Sequence, residues 1–356
     1  MKQRSTIRVV AVLLALAIGN VAQAETYLLS TGAPINHPWV FGARLWADLV
    51  AERSEGRIVF DVVPNAVAAG EGGVLEFSAL SRGVIDLAVG SSLVWSRDVP
   101  ALGLFALPCL ITNEQELEQI VTSTIGERLF LDIRTFNIVP LAWGDAGAYV
   151  IASRSGALDH GVDFDGLSLR VPEIGPVRQG FMMLGVDAVA APPSQALLQM
   201  KLGMIDGSVG RLADMNAEPD LPQAYDTWTR WPCLAEPLIF AVNRDLWAHW
   251  STEERVIVGQ AALEAAIAQA EAARVLARNQ GAVLEWDDVA FIDVSRDHAE
   301  KLAQELKPVF YEWSGQVGSD LVRDAEAVLD ARSPWLGVKL KLRIWTPQRT
   351  VTILTP

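Results

Sequence analysis

The sequence predicts an α/β fold in two lobes, and three features carry that prediction. Strand-like runs alternate with helical ones from Glu25 onward, the alternation restarts after residue 150, and a long helical stretch from about Ser251 to Asn279 follows both. Alternation of this kind builds parallel sheets covered on both faces, because each crossover helix packs back on the sheet. A helix of about 28 residues is roughly 42 Å long, more than one small lobe needs, so it is expected to bridge two.

TYLLS opens as a strand. HPWVFGARLWADLVAERSEG then sets Phe41, Leu45 and Leu49 at helical spacing, with Gly56 suited to the helix end. RIVFDVVP is rich in β-branched residues and stops at Pro64 and Asn65, a strand with its terminator. AAGEGG is a helix-opening turn, VLEFSALSRG the helix and VIDLAVGSS the next strand. In the second half GLSLRVP is a strand, PVRQGFMMLG a helix closed by Gly185, DAVAAP short and extended, SQALLQMKLG a helix capped by Ser194, and MIDGSVG extended again.

In the long helix Ser251 and Glu254 form a capping box, Val256, Leu263, Ile267 and Ala270 mark an apolar stripe, and Gly281 ends it. Helical segments from about His298 to Leu329 break near Pro308, which cannot continue a helix ladder. The expected division is residues 25–146 with about 233–275 in lobe I, 147–232 with about 276–332 in lobe II, and a tail at 333–356. Within that tail GVKLKLRIW alternates apolar and basic residues, the pattern of a strand added to a sheet edge or of a segment facing a partner.

The first residues are of another kind. Lys2, Arg4 and Arg8 precede an apolar run from Val9 to Ile18, and Ala22-Gln23-Ala24 is a small-residue cleavage pattern. Residues 1–24 therefore read as a cleavable secretory signal, with the mature chain starting at Glu25 outside the cytoplasm. No cysteine follows the cut, so a lipid anchor is not indicated, and no second run of about 18 apolar residues occurs. The whole chain carries a formal charge of −14, and losing the signal removes basic residues only, which argues against nucleic acid as a partner. Cys109 in LPCLI and Cys233 in WPCLAEP have apolar neighbours; an oxidising compartment permits a disulfide, and two buried free thiols fit the same pattern.

Motifs for catalysis are missing. His37, His160, His249 and His298 are far apart in sequence and form no H-E-x-x-H or H-x-x-H arrangement, and neither a G-x-S-x-G elbow nor a Walker-type loop is present. GEGG at Gly70 to Gly73 lacks the flanking lysine of a phosphate loop, and Asp287 with Asp288 reads as solvated surface. No catalytic residue, metal ligand or cofactor is assigned; a secreted enzyme with a scattered site, or a ligand-loaded sensory binding protein, is the alternative to a transport receptor. Among the 12 tryptophans most are expected to pack the core, and Trp143, which follows a strand into the glycine turn of LAWGDAG, is the candidate for a cleft wall.

One charge is out of keeping with its surroundings. GLSLRVP is apolar at Leu167, Leu169 and Val171, yet carries Arg170 just before Pro172 ends the strand. The carboxyl end of a strand in a covered parallel sheet opens onto the crevice where ligands bind. A guanidinium there, with its rigid donor fork, suits a carboxylate held by two parallel hydrogen bonds. The residues alone leave open whether that carboxylate is a ligand or one of the chain's own Asp or Glu side chains.

A set of segments resembles one known family. In order they are HPW before the first helix; GRIVFDVVPN followed by the GE of AAGEGG; LSRGVIDLAVG for an L-x-x-G-x-[IV]-D segment; FALPCL for F-x-L-P-[FY]; LAWGDAG for W-G-x-x-G; GLSLRVP for G-L-K-[IL]-R-V-P; MIDG for [IV]-D-G; and AVNRDLW for N-[KR]-x-x-W with STEER starting a helix after it. Behind a signal peptide, and running from Glu25 to about residue 330, this set is similar to the extracytoplasmic solute-binding proteins of tripartite ATP-independent periplasmic (TRAP) transporters. The resemblance implies a two-lobed periplasmic binding protein of the Venus-flytrap type, spanned by the long helix, which closes on a small organic acid and delivers it to the membrane permease subunits. It also implies that Arg170 is the carboxylate-binding arginine.

Two positions depart from the family pattern. Where many members have W-G-x-x-G-x-R this chain has Tyr149, a neutral phenol able to donate a hydrogen bond, and where many have D-G-x-E-N-P it has Gly210 followed by Arg211. The expected ligand is therefore a monocarboxylate, held by Arg170 with Tyr149, with Arg211 either restoring a second positive charge or lying exposed. Ser91 after VIDLAVG, Pro172 and Pro193 complete the expected walls, beside Trp143 and Gly210.

Overall fold

The computed structural model describes residues 25–65, 75–159, 161–191, 193–216, 224–286, 289–330, 342–346 and 349–353. The expected signal, the AAGEGG turn, His160 and the Asp287-Asp288 pair lie outside the described residues.

Two mixed sheets organise the chain. Strands β1 (Glu25–Thr31), β2 (Ile58–Val63), β3 (Leu87–Ser91), β4 (Ile138–Asp145) and β10 (Pro237–Asn243) make the first, in the order β2-β1-β3-β10-β4. Strands β5 (Tyr149–Ser153), β6 (Ser168–Val171), β7 (Asp187–Ala190), β8 (Gly207–Arg211), β9 (Thr227–Arg230) and β11 (Ala290–Asp293) make the second, in the order β11-β9-β5-β8-β6-β7. Within the first, β1 is parallel to β2 and β3; within the second, β6 is parallel to β7 and β8.

The expectation of purely parallel sheets needs one correction: β10 is antiparallel to β3 and β4, and β5 is antiparallel to β8 and β9. The cause is how the chain changes sheets. It leaves the first sheet at Asp145 and enters the second at Tyr149, then leaves the second at Arg230 and returns at Pro237. An entering strand starts at the crevice side, where the parallel strands end, so it must run against them. Both crossings thus lie beside the carboxyl ends of β3, β4, β6 and β8.

The long helix extends from Thr252 to Trp286 over 35 residues, packing on helix Pro38–Arg53 and β4 and reaching β11. Its capping box forms as expected: the Ser251 backbone N–H donates to Glu254 Oε2 at 2.8 Å, and the Glu254 N–H to Ser251 Oγ at 3.3 Å. Gly281 does not end it; a glycine inside a helix costs only about 1 kcal/mol. The buried stripe also differs from expectation. Val258, Ala261, Ala262, Ala265, Ala266, Ala273 and Ala277 face the core, while Ile267 is 57% exposed. Helix Pro38–Arg53 likewise buries Trp39, Val40, Ala43, Trp46, Ala47 and Val50, leaving Phe41 48% exposed. The alanines of the long helix leave room for Trp46, whose Nε1 donates to Val258 O at 3.1 Å, while Phe41 and Ile267 fall outside the contact.

Smaller differences follow from local chemistry. The helix expected to be capped by Ser194 begins at Pro193, which suits the first turn because it has no N–H to leave unpaired. Pro308 breaks the C-terminal helices as expected, opening Lys307–Val317 after Arg296–Glu305. In the tail, β12 (Leu342–Thr346) pairs antiparallel with β13 (Arg349–Ile353) as a separate two-stranded sheet, not as an added edge of either large one. Cys109 and Cys233 form a disulfide, and Cys109 N–H also donates to Cys233 O at 3.3 Å.

Candidate functional site

Arg170 sits where the sequence puts it, at the carboxyl end of β6, and only 7% of it is exposed. Its guanidinium leans over the ends of the neighbouring strands. Nε donates to the main-chain oxygen of Ala191, just past β7, at 2.8 Å, and Nη1 donates to that of Val209 in β8 at 2.8 Å. No carboxylate pairs with it among the described residues, and Nη2 makes no hydrogen bond there. Burial pushes this guanidinium down from its ordinary value, while Asp214 works in the opposite direction. Gly210 lies against it: a Cβ at that glycine would be 3.7 Å from Nη1 and 3.2 Å from Met215 Cε.

A second cluster is built around a residue that sequence reasoning missed, Glu236. It is 1% exposed and lies at the return crossing, immediately before β10. Its Oε1 accepts a hydrogen bond from Ser91 Oγ, and its Oε2 accepts from Tyr149 Oη at 2.7 Å and Arg211 Nη1 at 3.1 Å. Arg211 Nε donates to Asp214 Oδ2 at 2.7 Å, and its guanidinium lies 4.4 Å over the Trp39 ring. Burial alone would lower the Arg211 pKa; Asp214 and Glu236 more than reverse it and hold it well above its ordinary value. Burial and the Glu236 charge together push the Tyr149 phenol well up.

Asp214 connects this cluster to the other lobe. Its Oδ1 is 3.2 Å from Nε2 of His37, whose ring is shielded from solvent. His37 Nδ1 accepts from the Trp39 backbone N–H at 3.2 Å, which fixes the ring at the start of helix Pro38–Arg53. Burial pushes the Asp214 carboxyl up, but Arg211 and His37 outweigh it and hold the group well below the usual carboxylate range.

The structure thus brings Arg170, Gly210, Arg211, Tyr149 and Ser91 to the crevice. Ser91 caps the short helix Ser92–Trp95, accepting from Val94 N–H at 3.0 Å, besides donating to Glu236. Pro172 follows β6 and is half-buried; Pro193 opens its helix. Trp143 is placed elsewhere. It points to the helical side of the first sheet, stacked on Phe130 with ring centroids 4.4 Å apart and edge-on to Phe105. Thr31 Oγ1, Trp39 Nε1 and Ser92 Oγ are buried near the ends of β1 and β3 without a hydrogen-bond partner.

The arrangement is suited to holding an anion in a dry crevice. Among the described residues no group of three or more His, Cys, Asp or Glu could hold a metal ion, and no helix is long and apolar enough to cross a membrane.

Comparison with known proteins bears on the family and the fold. Residues 29–316 match the model of the bacterial extracellular solute-binding protein, family 7. A TRAP periplasmic solute-binding protein from Ralstonia eutropha, solved with bound (S)-2-acetolactate, superposes with a TM-score of 0.81 at 30% identity, covering 86% of this chain and 99% of that one. A solute-binding protein of Chromohalobacter salexigens is 26% identical over 255 residues, 71% of this chain and 75% of that protein. An uncharacterized protein of Sinorhizobium fredii is 26% identical over 197 residues, and there the match spans 55% of this chain and 36% of the relative.

Proposed function

The chain belongs to the bacterial extracellular solute-binding protein family 7, and on that premise we propose that it captures a small organic acid through Arg170 and delivers it to the membrane permease of a TRAP transporter. In this reading residues 1–24 are a signal removed on export, and the mature protein works in the periplasm. One observation carries it: a guanidinium buried at the ends of three strands, with two donors fixed by main-chain carbonyls and no carboxylate among the described residues paired with it. An unpartnered buried cation is costly, and a ligand carboxylate removes that cost when the cleft closes. The relative that holds (S)-2-acetolactate supports a branched hydroxy or oxo acid of that size.

The test is calorimetric titration of (S)-2-acetolactate and related acids into wild type and Arg170→Ala. Removing one side of a buried pair costs about 3–5 kcal/mol, so affinity should fall by roughly two to three decades or more. Equal affinity in the two proteins would refute the assignment of Arg170.

A further inference from the structure

We infer that Glu236 is a built-in carboxylate that restricts the ligand to one negative charge, so that the cleft takes a monocarboxylate and rejects a dicarboxylate. The inference deepens the reading of Arg170 above and rests on it.

The argument is a count of donors and charges at the crevice. Three groups there could greet a second ligand carboxylate: Arg211, Tyr149 and Ser91. All three are already turned to Glu236, through Arg211 Nη1 at 3.1 Å, Tyr149 Oη at 2.7 Å and Ser91 Oγ. Arg211 Nε is bound to Asp214 Oδ2 at 2.7 Å. Two carboxylates therefore answer one guanidinium, while no carboxylate among the described residues pairs with Arg170.

An incoming dianion would place its first carboxylate on Arg170 and its second beside Glu236 and Asp214. Like charges set against each other in a desolvated contact are strongly disfavoured, and the guanidinium on that side already answers two carboxylates. A monoanion meets Arg170 and turns a neutral or hydroxylated end to the same region without that conflict. Burial makes the device rigid: Glu236 is 1% exposed, and its main-chain oxygen also accepts from Ala146 N–H at 2.9 Å, tying the carboxylate to both crossings of the chain.

The experiment titrates monomethyl succinate, (S)-2-acetolactate and succinate into the wild-type protein, then into Glu236→Gln, with folding of the variant checked by circular dichroism. Monomethyl succinate and succinate share a carbon skeleton and differ in one charge, so size is held nearly constant. In the wild type at least one monocarboxylate should bind about 100-fold more tightly than succinate. In Glu236→Gln, which keeps the shape and an acceptor but loses the charge, that ratio should fall to about tenfold or less, through a gain for succinate. A wild-type ratio near one overturns the inference whatever the absolute affinities, and so needs no folded variant. A wild-type preference that Glu236→Gln leaves unchanged overturns the role of Glu236 alone. Arg170→Ala separates the two proposals: if it abolishes binding while the charge ratio is near one, the carboxylate reading stands and only this inference fails.

Discussion

Glu76 offers a test of the energetics that is independent of any ligand. It is the first residue of helix Glu76–Ser81, 3% exposed, and its carboxylate accepts a hydrogen bond from Ser30 Oγ at 2.9 Å. Burial pushes the carboxyl up to about 7 from 4.5, with the Ser30 bond pulling the other way. The folded state therefore binds this proton more tightly than the unfolded chain does. Stability from the group is fully present below about 4.5 and is lost as pH rises through about 7, because between those values the folded protein holds more protons than the unfolded one. The gap corresponds to about 3 kcal/mol at pH 8. Glu76→Gln keeps the shape and the acceptor for Ser30 but cannot ionise. Relative to wild type it should gain little at pH 4 and about 3 kcal/mol by pH 8, or about 5 °C in Tm for a chain of this size. Urea and thermal unfolding of both proteins at four pH values between 4 and 8 would measure it. Curves that stay parallel across that range, or a variant that gains at low pH, would refute the account of Glu76 as a carboxyl kept neutral by burial.

Two further predictions concern the crossings. The Cys109–Cys233 disulfide joins residues 124 apart, a long loop whose closure should contribute about 3–5 kcal/mol, so dithiothreitol should lower Tm in wild type and leave a Cys109→Ser, Cys233→Ser double variant unmoved. Gln269 in the long helix is fully buried, its Nε2 donating to Asp145 O at 2.7 Å and its Oε1 accepting from Asp145 N–H at 3.0 Å. Gln269→Leu leaves both main-chain groups unpaired and should destabilise by about 2–4 kcal/mol in urea unfolding.

Much of the fold was legible because it is written in short periods. The alternation of apolar and β-branched runs with helical segments marks β1, β2, β3, β6, β7 and β8 with the helices between them, and Pro172 and Pro308 mark two boundaries; β5, β9, β10 and β11 were not picked out. Arg170 was legible for the opposite reason: a lone cation in an apolar strand contradicts its surroundings. The direction of β5 and β10 was not, since it depends on which sheet the chain is entering, a property of the topology. The stripe of the long helix was misread because the large side chains were counted, while close packing is carried by Ala261, Ala262, Ala265 and Ala266. Glu236 left almost no local trace. WPCLAEP resembles any turn before a strand, and the partners that give Glu236 a role lie 145, 87 and 25 residues away.

That distance in sequence has a mechanical counterpart. The two sides of the crevice are held together unequally by the chain itself. On one side Arg211 covers Trp39 and Asp214 meets His37 in a setting largely closed to water, where charge and cation–π contacts keep their strength. On the other side a contact across the crevice is made by Arg97, whose Nη2 reaches the Glu173 main-chain oxygen at 3.1 Å and its carboxylate at 4.0 Å, with side chains 44% and 76% exposed. An exposed pair of that kind contributes close to nothing once solvent screens it. Arg170, buried and lacking a carboxylate, stands between these unequal supports. In the reading proposed above, a ligand carboxylate on Arg170 would add a contribution that the second side does not hold, and would add no charge to the side where Glu236 and Asp214 already answer Arg211.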